Sequence, residues 1–427
     1  MSIDAANEQL ALLGGPKAIT DVPRDLFRWP AVTAEDEQAV LEVLRAGSMS
    51  NSDVTKQFEA EYAAYQGTEF ALAFCNGTAA LLSAMYGSGV RRGDEIITPS
   101  LTYWATALPA FSLGATVVFA DIEPDSLCID PRDIEHRITP HTKAIVVTHY
   151  CGHPAEMDTI MEIARAHTLK VIEDVSHAHG ALYRGRLVGV IGDVSAMSLM
   201  SGKSLPAGEA GMLCTNDRVI YECALALGHY ERTQADITLP ELTPFVGLPL
   251  GGYKHRIIQT ASAMGRVQLR HYPARMQEIQ QAMHYFWDGL EGVPGLRPHR
   301  PSKDSESTMG GWYNPLGHYL PDELGGLPVA RFIEAVNAEG SHSWRAANRP
   351  LHLHPVFNTA DIYGDGKPTR LAFCDRDVRQ GPGSLPVSEA LGERCMGIPW
   401  FKHLWPDHID HYIAAYRKVA LRADTLL

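Results

Sequence analysis

The chain has 427 residues, 37 basic and 50 acidic side chains, and a formal net charge of −13. That length predicts two or three domains at ~100–200 residues each. With 45% hydrophobic and 20% charged residues, the composition excludes wholesale disorder, and the acidic balance argues against a nucleic-acid or anionic-membrane partner, each of which needs a basic patch.

The opening MSIDAANEQLALLGGPKAIT has no basic leader and no long apolar run, so residues 1–28 are expected to form an arm rather than a signal peptide. From 29 to 285 the pattern predicts a large domain. Phe70–Phe74 reads as a buried strand, and Ala79–Tyr86 as a helix opening after Asn76-Gly77-Thr78. Strand Glu95–Thr98 and helix 104–113 follow, then strand Thr116–Ala120 and helix 131–137. Next come strand Ala144–Thr148, helix 156–167, strand Lys170–Glu173 and strand Ala196–Met200. Strands alternating with helices imply an α/β fold with a mostly parallel sheet covered on both faces. Such sheets bind ligands beyond the carboxyl ends of their strands.

Residues 255–290 have a long helical period and are expected to bridge to a second domain. The stretch 293–311 reads as a surface connection. Residues 286–427, with helical runs at 329–339 and 407–425, predict a smaller α+β domain. No stretch reaches the ~18 apolar residues of a membrane span. Seven scattered cysteines without a CxxC pair fit reduced thiols in a cytoplasmic protein. Nor is there an HExxH segment, and no metal is expected.

Four features fall at the ends of predicted strands. Asn76-Gly77-Thr78 opens a helix, where free N–H groups suit a phosphate. Tyr103-Trp104 either stacks on a planar ring or packs into the core. Glu173-Asp174 ends an apolar strand, and a carboxylate there either caps a helix or holds a proton on a pyridine-type nitrogen. Lys203 stands among small residues after Ser198, and burial turns such a lysine into a nucleophile toward carbonyls. Each feature alone is ordinary structure. In this order they are the parts that hold pyridoxal 5'-phosphate.

The chain resembles the DegT/DnrJ/EryC1/StrS sugar aminotransferases, most strongly over VIEDVSHAHGALYRGRLVGVIGDVSAMSLMSGKSLPAGEAGMLCTND at 171–217. The resemblance implies the fold of pyridoxal-phosphate enzymes of type I and an aminotransferase. Lys203 would form the Schiff base and Asp174 would pair with the pyridine nitrogen. Tyr103 would stack on the ring, and Gly77, Thr78 and Ser198 would bind the phosphate. His177 would lie near the cofactor's phenolic oxygen. The loop Gly252–Arg256 stands where the family reaches the partner subunit's cofactor phosphate, so Lys254 is expected to do so in a homodimer with shared sites. The glycine pair after Glu209 is interrupted by Ala210. His229, Arg232 and His255 are expected to contact substrate. So are His352 and His354, which would share one face if their segment is extended.

The runs SHAHG and LALLGGPKA are similar to the branch acting on inososes. The resemblance therefore implies glutamine or glutamate as amino donor and a polyhydroxylated ketone, favouring a keto-cyclitol, as acceptor. The alternatives are a nucleotide-linked ketosugar aminotransferase, an enzyme like aminohydroxybenzoate synthase, and a dehydratase. The family's dehydratases carry histidine at the lysine position, and Lys203 argues against that last reading.

Overall fold

The computed structural model describes residues 9–345 and 348–427. A seven-stranded sheet forms the centre of the molecule. Its strands are β1 (Phe70–Phe74), β2 (Glu95–Pro99), β3 (Thr116–Ala120), β4 (Thr142–Thr148), β5 (Lys170–Asp174), β8 (Val194–Ser198) and β9 (Gly211–Thr215). A two-stranded ribbon, β6 (Leu182–Tyr183) and β7 (Arg186–Leu187), lies between β5 and β8 in the chain. The order across the large sheet is β1-β9-β8-β5-β4-β2-β3. Pairings from β3 through β8 are parallel, and β9 pairs antiparallel with both β1 and β8.

Alternate strand residues point to opposite faces. Ala71, Ile97, Val118, Ile145 and Val147 therefore enter one apolar cluster, while Leu72, Ile96, Val117, Ala144 and Val146 enter another. All are buried, which is why these strands read as continuous apolar runs rather than alternating ones. The expected helix at 104–113 is instead a 3-10 turn, Trp104–Thr106, and a short helix, Pro109–Ser112. Pro109 lacks the N–H that would have joined the two, and proline disfavours helical backbone just before it.

The helix Gln259–Gly289 carries Pro273 within it and spans the expected domain boundary at 285. Beyond it a second sheet pairs β10 (Leu296–Pro298), β11 (Leu316–Tyr319), β13 (Cys395–Gly397) and β12 (Trp344–Arg345), in that order and antiparallel. Its core takes in Leu10, Ile19 and Leu26, so the described part of the expected arm is docked on the small sheet's side.

Residues 351–385, expected in the small domain, return to the large sheet. Leu351, Phe357 and Leu385 join one of its two apolar clusters. This segment also closes the edge at β3. Arg370 Nε donates to the Val117 carbonyl (2.6 Å), and Gln380 Nε2 donates to the Phe119 carbonyl (2.8 Å) while its Oε1 accepts the Phe119 N–H (3.3 Å). Side chains thus satisfy an edge that would otherwise offer itself to another strand.

Candidate active site

A cleft of about 470 Å³ opens beyond the carboxyl ends of β1, β2, β4, β5 and β8. It brings together Gly77, Thr78, Tyr103, Asp174, His177, Ser198 and Lys203. The helix Gly77–Gly87 starts at its wall. Asn76 caps that helix, its side chain accepting the Ala79 N–H at 2.9 Å. A Cβ on Gly77 would stand 2.8 Å from the Ser198 Cα. The glycine therefore lets the helix start lie directly against the end of β8, with first-turn N–H groups facing the cleft. One on Gly211 would come 2.4 Å from the Asn76 carbonyl oxygen. Close approach is thus required at Gly211, whereas Ala210, which interrupts the glycine pair, is accommodated in the core.

Asp174 ends β5 and is buried. Its Oδ2 accepts from Thr106 Oγ1 at 2.7 Å and its Oδ1 from the Ser176 N–H at 3.1 Å. Thr106 belongs to a file of hydroxyls, with Thr102 Oγ1 at 2.8 Å and Thr148 Oγ1 a further 3.0 Å on. These contacts fix the carboxylate's orientation from the protein side.

Lys203 is almost wholly buried, and burial pulls its pKa down to about 8 against the opposing attraction of Asp174. Its carbonyl accepts the Trp29 Nε1–H at 2.8 Å, which ties the Lys203 loop to the N-terminal segment. The Tyr313 ring centroid lies 4.0 Å from Nζ. His177 is held neutral, far below its ordinary pKa, first by burial and then by Lys203 and His179. Its Nδ1 accepts the Cys151 N–H at 3.3 Å, so the proton resides on Nε2.

The other expected substrate contacts are placed elsewhere in this chain. His229 is buried against Phe74 and donates from Nε2 to the Ala73 carbonyl (3.0 Å). Arg232 Nη1 binds both Glu59 oxygens at 2.7 and 2.9 Å, and its Nε binds Asp236 at 2.9 Å. His255 sets its ring 3.3 Å from Ser83 Oγ. Together the three brace the region around β1 and line no part of the cleft. Lys254 is exposed on the surface.

The expectation that His352 and His354 share a face is corrected: Leu351–Leu353 is a 3-10 turn, not an extended segment. His352 is buried, taking a hydrogen bond from Ser100 Oγ (2.7 Å) and donating to Glu389 Oε1 (3.0 Å). His354 is exposed and caps the next helical turn through Val356 N–H.

The cleft also contains residues that the sequence reading passed over: Tyr150, Tyr313, Asn314 and Asn348, with Glu209 singled out only as a motif position. The available signal was the run Trp312-Tyr313-Asn314, whose aromatic and amide groups directly follow what reads as a surface connection.

The sequence matches the DegT/DnrJ/EryC1/StrS aminotransferase family over residues 30–417. It is 32% identical over 391 residues to a putative L-glutamine:3-amino-2,3-dideoxy-scyllo-inosose aminotransferase of Micromonospora echinospora, covering 90% of each chain. It is 30% identical over 398 residues to the dTDP-3-amino-3,4,6-trideoxy-alpha-D-glucose transaminase of Streptomyces venezuelae, covering 92% of this chain and 93% of the relative. The structure of an aminotransferase from Psychrobacter cryohalolentis superposes with a TM-score of 0.78 at 28% identity, over 91% of this chain and 97% of that one. The cleft has the parts this chemistry needs: a helix start for a phosphate, a fixed carboxylate and a desolvated lysine. The chain belongs to the DegT/DnrJ/EryC1/StrS aminotransferases and is a pyridoxal-phosphate-dependent enzyme.

Proposed function

We propose that this enzyme moves an amino group from glutamine or glutamate onto a polyhydroxylated cyclic ketone of the inosose type. The observation that carries the reading is the lining of the cleft. Tyr103, Tyr150, Tyr313, Asn314 and Asn348 offer hydroxyls and amides, and among the described residues Lys203 is the one lysine or arginine that lines it. A neutral polyol needs many hydrogen bonds and little charge, whereas a nucleotide diphosphate needs cations.

Pyridoxal phosphate supplies an electron sink for the carbanion left when a proton departs from the amino-bearing carbon. Gly77 and Thr78 at the helix start, with Ser198, would hold its phosphate. The Asp174 carboxylate would keep the proton on the ring nitrogen, and Thr106 and the Ser176 N–H hold that carboxylate in place. His177, with its proton on Nε2, would donate to the cofactor's phenolic oxygen. Tyr103, half-exposed at the mouth, would cover the cofactor ring. Lys203 would carry the cofactor, and its free amine would move the proton as a base. Its depressed pKa makes the neutral amine accessible near physiological pH. Donor and acceptor use the same pocket in turn, so the kinetics are ping-pong.

The test is a half-reaction screen. Enzyme loaded with its amino donor is challenged with free keto-cyclitols and with nucleotide-linked ketosugars, and recovery of the resting spectrum is followed. Faster recovery with a free cyclitol ketone supports the reading. Far better turnover of nucleotide-linked ketosugars would replace it with the activity of the Streptomyces venezuelae relative.

The same reading includes a cytoplasmic homodimer in which Lys254 reaches the partner subunit's cofactor phosphate. Its support is the exposed apolar run around that loop, where Phe245 is 52%, Leu248 76% and Ile258 51% exposed. An isologous interface would cover both copies at once. Mixing Lys203→Ala with Lys254→Ala should restore activity that neither has alone. A fully active monomer by sedimentation refutes the shared site.

A further inference from the structure

The loop Met309–Asn314 joins the β10 side of the small sheet to β11, yet it packs against the catalytic lysine loop. A Cβ on Gly310 would fall 2.3 Å from the His179 carbonyl oxygen, and one on Gly311 would fall 2.3 Å from the Ser204 Cβ. The Gly311 N–H donates to the His179 carbonyl (3.3 Å), and the Gly311 carbonyl accepts Trp400 Nε1–H (3.1 Å). Trp312 and Asn314, on either side of Tyr313, have φ of +53° and +51°. Left-handed backbone at two non-glycine residues is uncommon and is held only where the surroundings determine it. What that backbone delivers is Tyr313. Its ring lies 4.0 Å from Lys203 Nζ, 4.8 Å from the His177 ring and 6.0 Å from Trp400.

We propose that Tyr313 is a positioning residue for Lys203: its ring face holds the ammonium end inside the cleft and stabilises the charged form against burial. This rests on the reading of Lys203 as the cofactor-bearing lysine. An aromatic face attracts a cation most strongly where water is excluded, and Lys203 is in that situation. The groups facing Nζ separate the effects. Asp174 favours the charged lysine and Cys151 does so weakly, while His177 and His179, both neutral, add no competing cation. Glu209 lines the same cleft, and burial raises the Tyr313 phenol to about 12, so the ring meets the lysine uncharged. Asp174 alone would draw Nζ toward the end of β5. The ring supplies a second anchor from the small-domain side.

The experiment uses the full chain freed of cofactor. Lys203 is labelled with acetic anhydride across a pH series, and its peptide is quantified by mass spectrometry against an exposed lysine. Wild type should show a midpoint near 8, as its burial dictates. Tyr313→Phe should keep that midpoint, because the ring face remains. Tyr313→Leu should lower it by roughly 0.5–1.5 pH units, the size of a desolvated cation–aromatic contact. Because Leu could disturb the strained loop, a second series places Phe and progressively fluorinated phenylalanines at 313. These keep the shape while draining the ring face of negative charge, and the midpoint should fall stepwise. A flat midpoint across the fluorinated series overturns the proposal, as does an equal drop in Tyr313→Phe and Tyr313→Leu. Borohydride reduction of the wild-type holoenzyme, followed by peptide mapping, tests the underlying reading separately. Cofactor fixed to any lysine other than Lys203 removes that reading whatever the midpoints do.

Discussion

Burial draws Lys203 toward its neutral form, and the Asp174 carboxylate pulls it the other way. On the proposed function a single carboxylate would bear on two protons, the one on the lysine and the one on the cofactor's ring nitrogen. Asp174→Asn keeps the shape and retains an oxygen that can accept from Thr106, but it removes the charge. Two outcomes are expected together. In the cofactor-free chain the Lys203 midpoint should fall below the wild-type value near 8, since the main influence raising it is gone. In the holoenzyme, cofactor should still bind, while turnover falls by about 10²-fold or more, the range associated with losing a placed proton-transfer group. Acetylation midpoints and single-turnover rates read the two effects separately. Unchanged turnover would reduce Asp174 to a cap on the strand end.

At the scale of elements, the sheet was legible because its strands are buried on both faces and their apolar runs have the right length. Phe70–Phe74 and Thr116–Ala120 agree with the reading to the residue. The strand placed at Ala196–Met200 spans Val194–Ser198; the Leu199 N–H still reaches the Ala210 carbonyl in register with the β8–β9 pairing before the chain swings toward the lysine. β9 was not anticipated. It runs antiparallel to β8, and its first residue, Gly211, passes close to the Asn76 carbonyl, a contact between residues far apart in sequence. The same limit applies to the site. Lys203, Asp174 and the Gly77 turn lie at strand ends, and strand ends can be read locally. Tyr313 arrives from the small-sheet side and Asn348 from the stretch between β12 and the returning segment, so only the three-dimensional packing places them in the cleft. The histidines show the converse. Alternation at His352 and His354 looks like an extended edge, but Pro350 and Pro355 bracket a 3-10 turn that sends one ring inward to Glu389 and the other to solvent. Arg232 stands in a similar position: its sequence context does not disclose that Glu59, 173 residues away, neutralises it.

The two sheets meet across a row of three imidazoles, one pair tilted and the other edge-to-face. His153 lies 5.2 Å from His299, and His299 lies 5.5 Å from His318. Each donates to a carbonyl: His153 Nδ1 to Pro154, His299 Nε2 to Ser126, and His318 Nε2 to Asp125. His299 and His318 belong to the small-sheet side, while Ser126 and Asp125 lie on a loop of the large one, so these two bonds cross the seam, whereas the His153 bond stays within the large-sheet side. Burial keeps all three rings neutral, holding His153 down at about 4 and His299 well below its ordinary value. Mutual repulsion adds to this, because charging one ring penalises the next, and the Asp125 carboxylate opposes it only partly. A histidine with a depressed folded-state pKa binds fewer protons folded than unfolded. Its contribution to stability is therefore complete above about 6.5, the unfolded value, and is lost as pH falls toward the folded one. Each such ring has a limiting slope of about 1.4 kcal/mol per pH unit in that window. The contribution of these rings to the melting temperature should accordingly be flat between pH 7 and 8 and fall from about pH 6.5 to 4. His299→Gln retains a donor for the Ser126 carbonyl but cannot charge, so its melting curve should lose less over the same interval than wild type does. Buried histidines elsewhere, such as His229, contribute equally to both proteins and cancel in the comparison. Identical slopes for the two would mean that the seam does not take up the protons, and that acid acts on the large sheet instead.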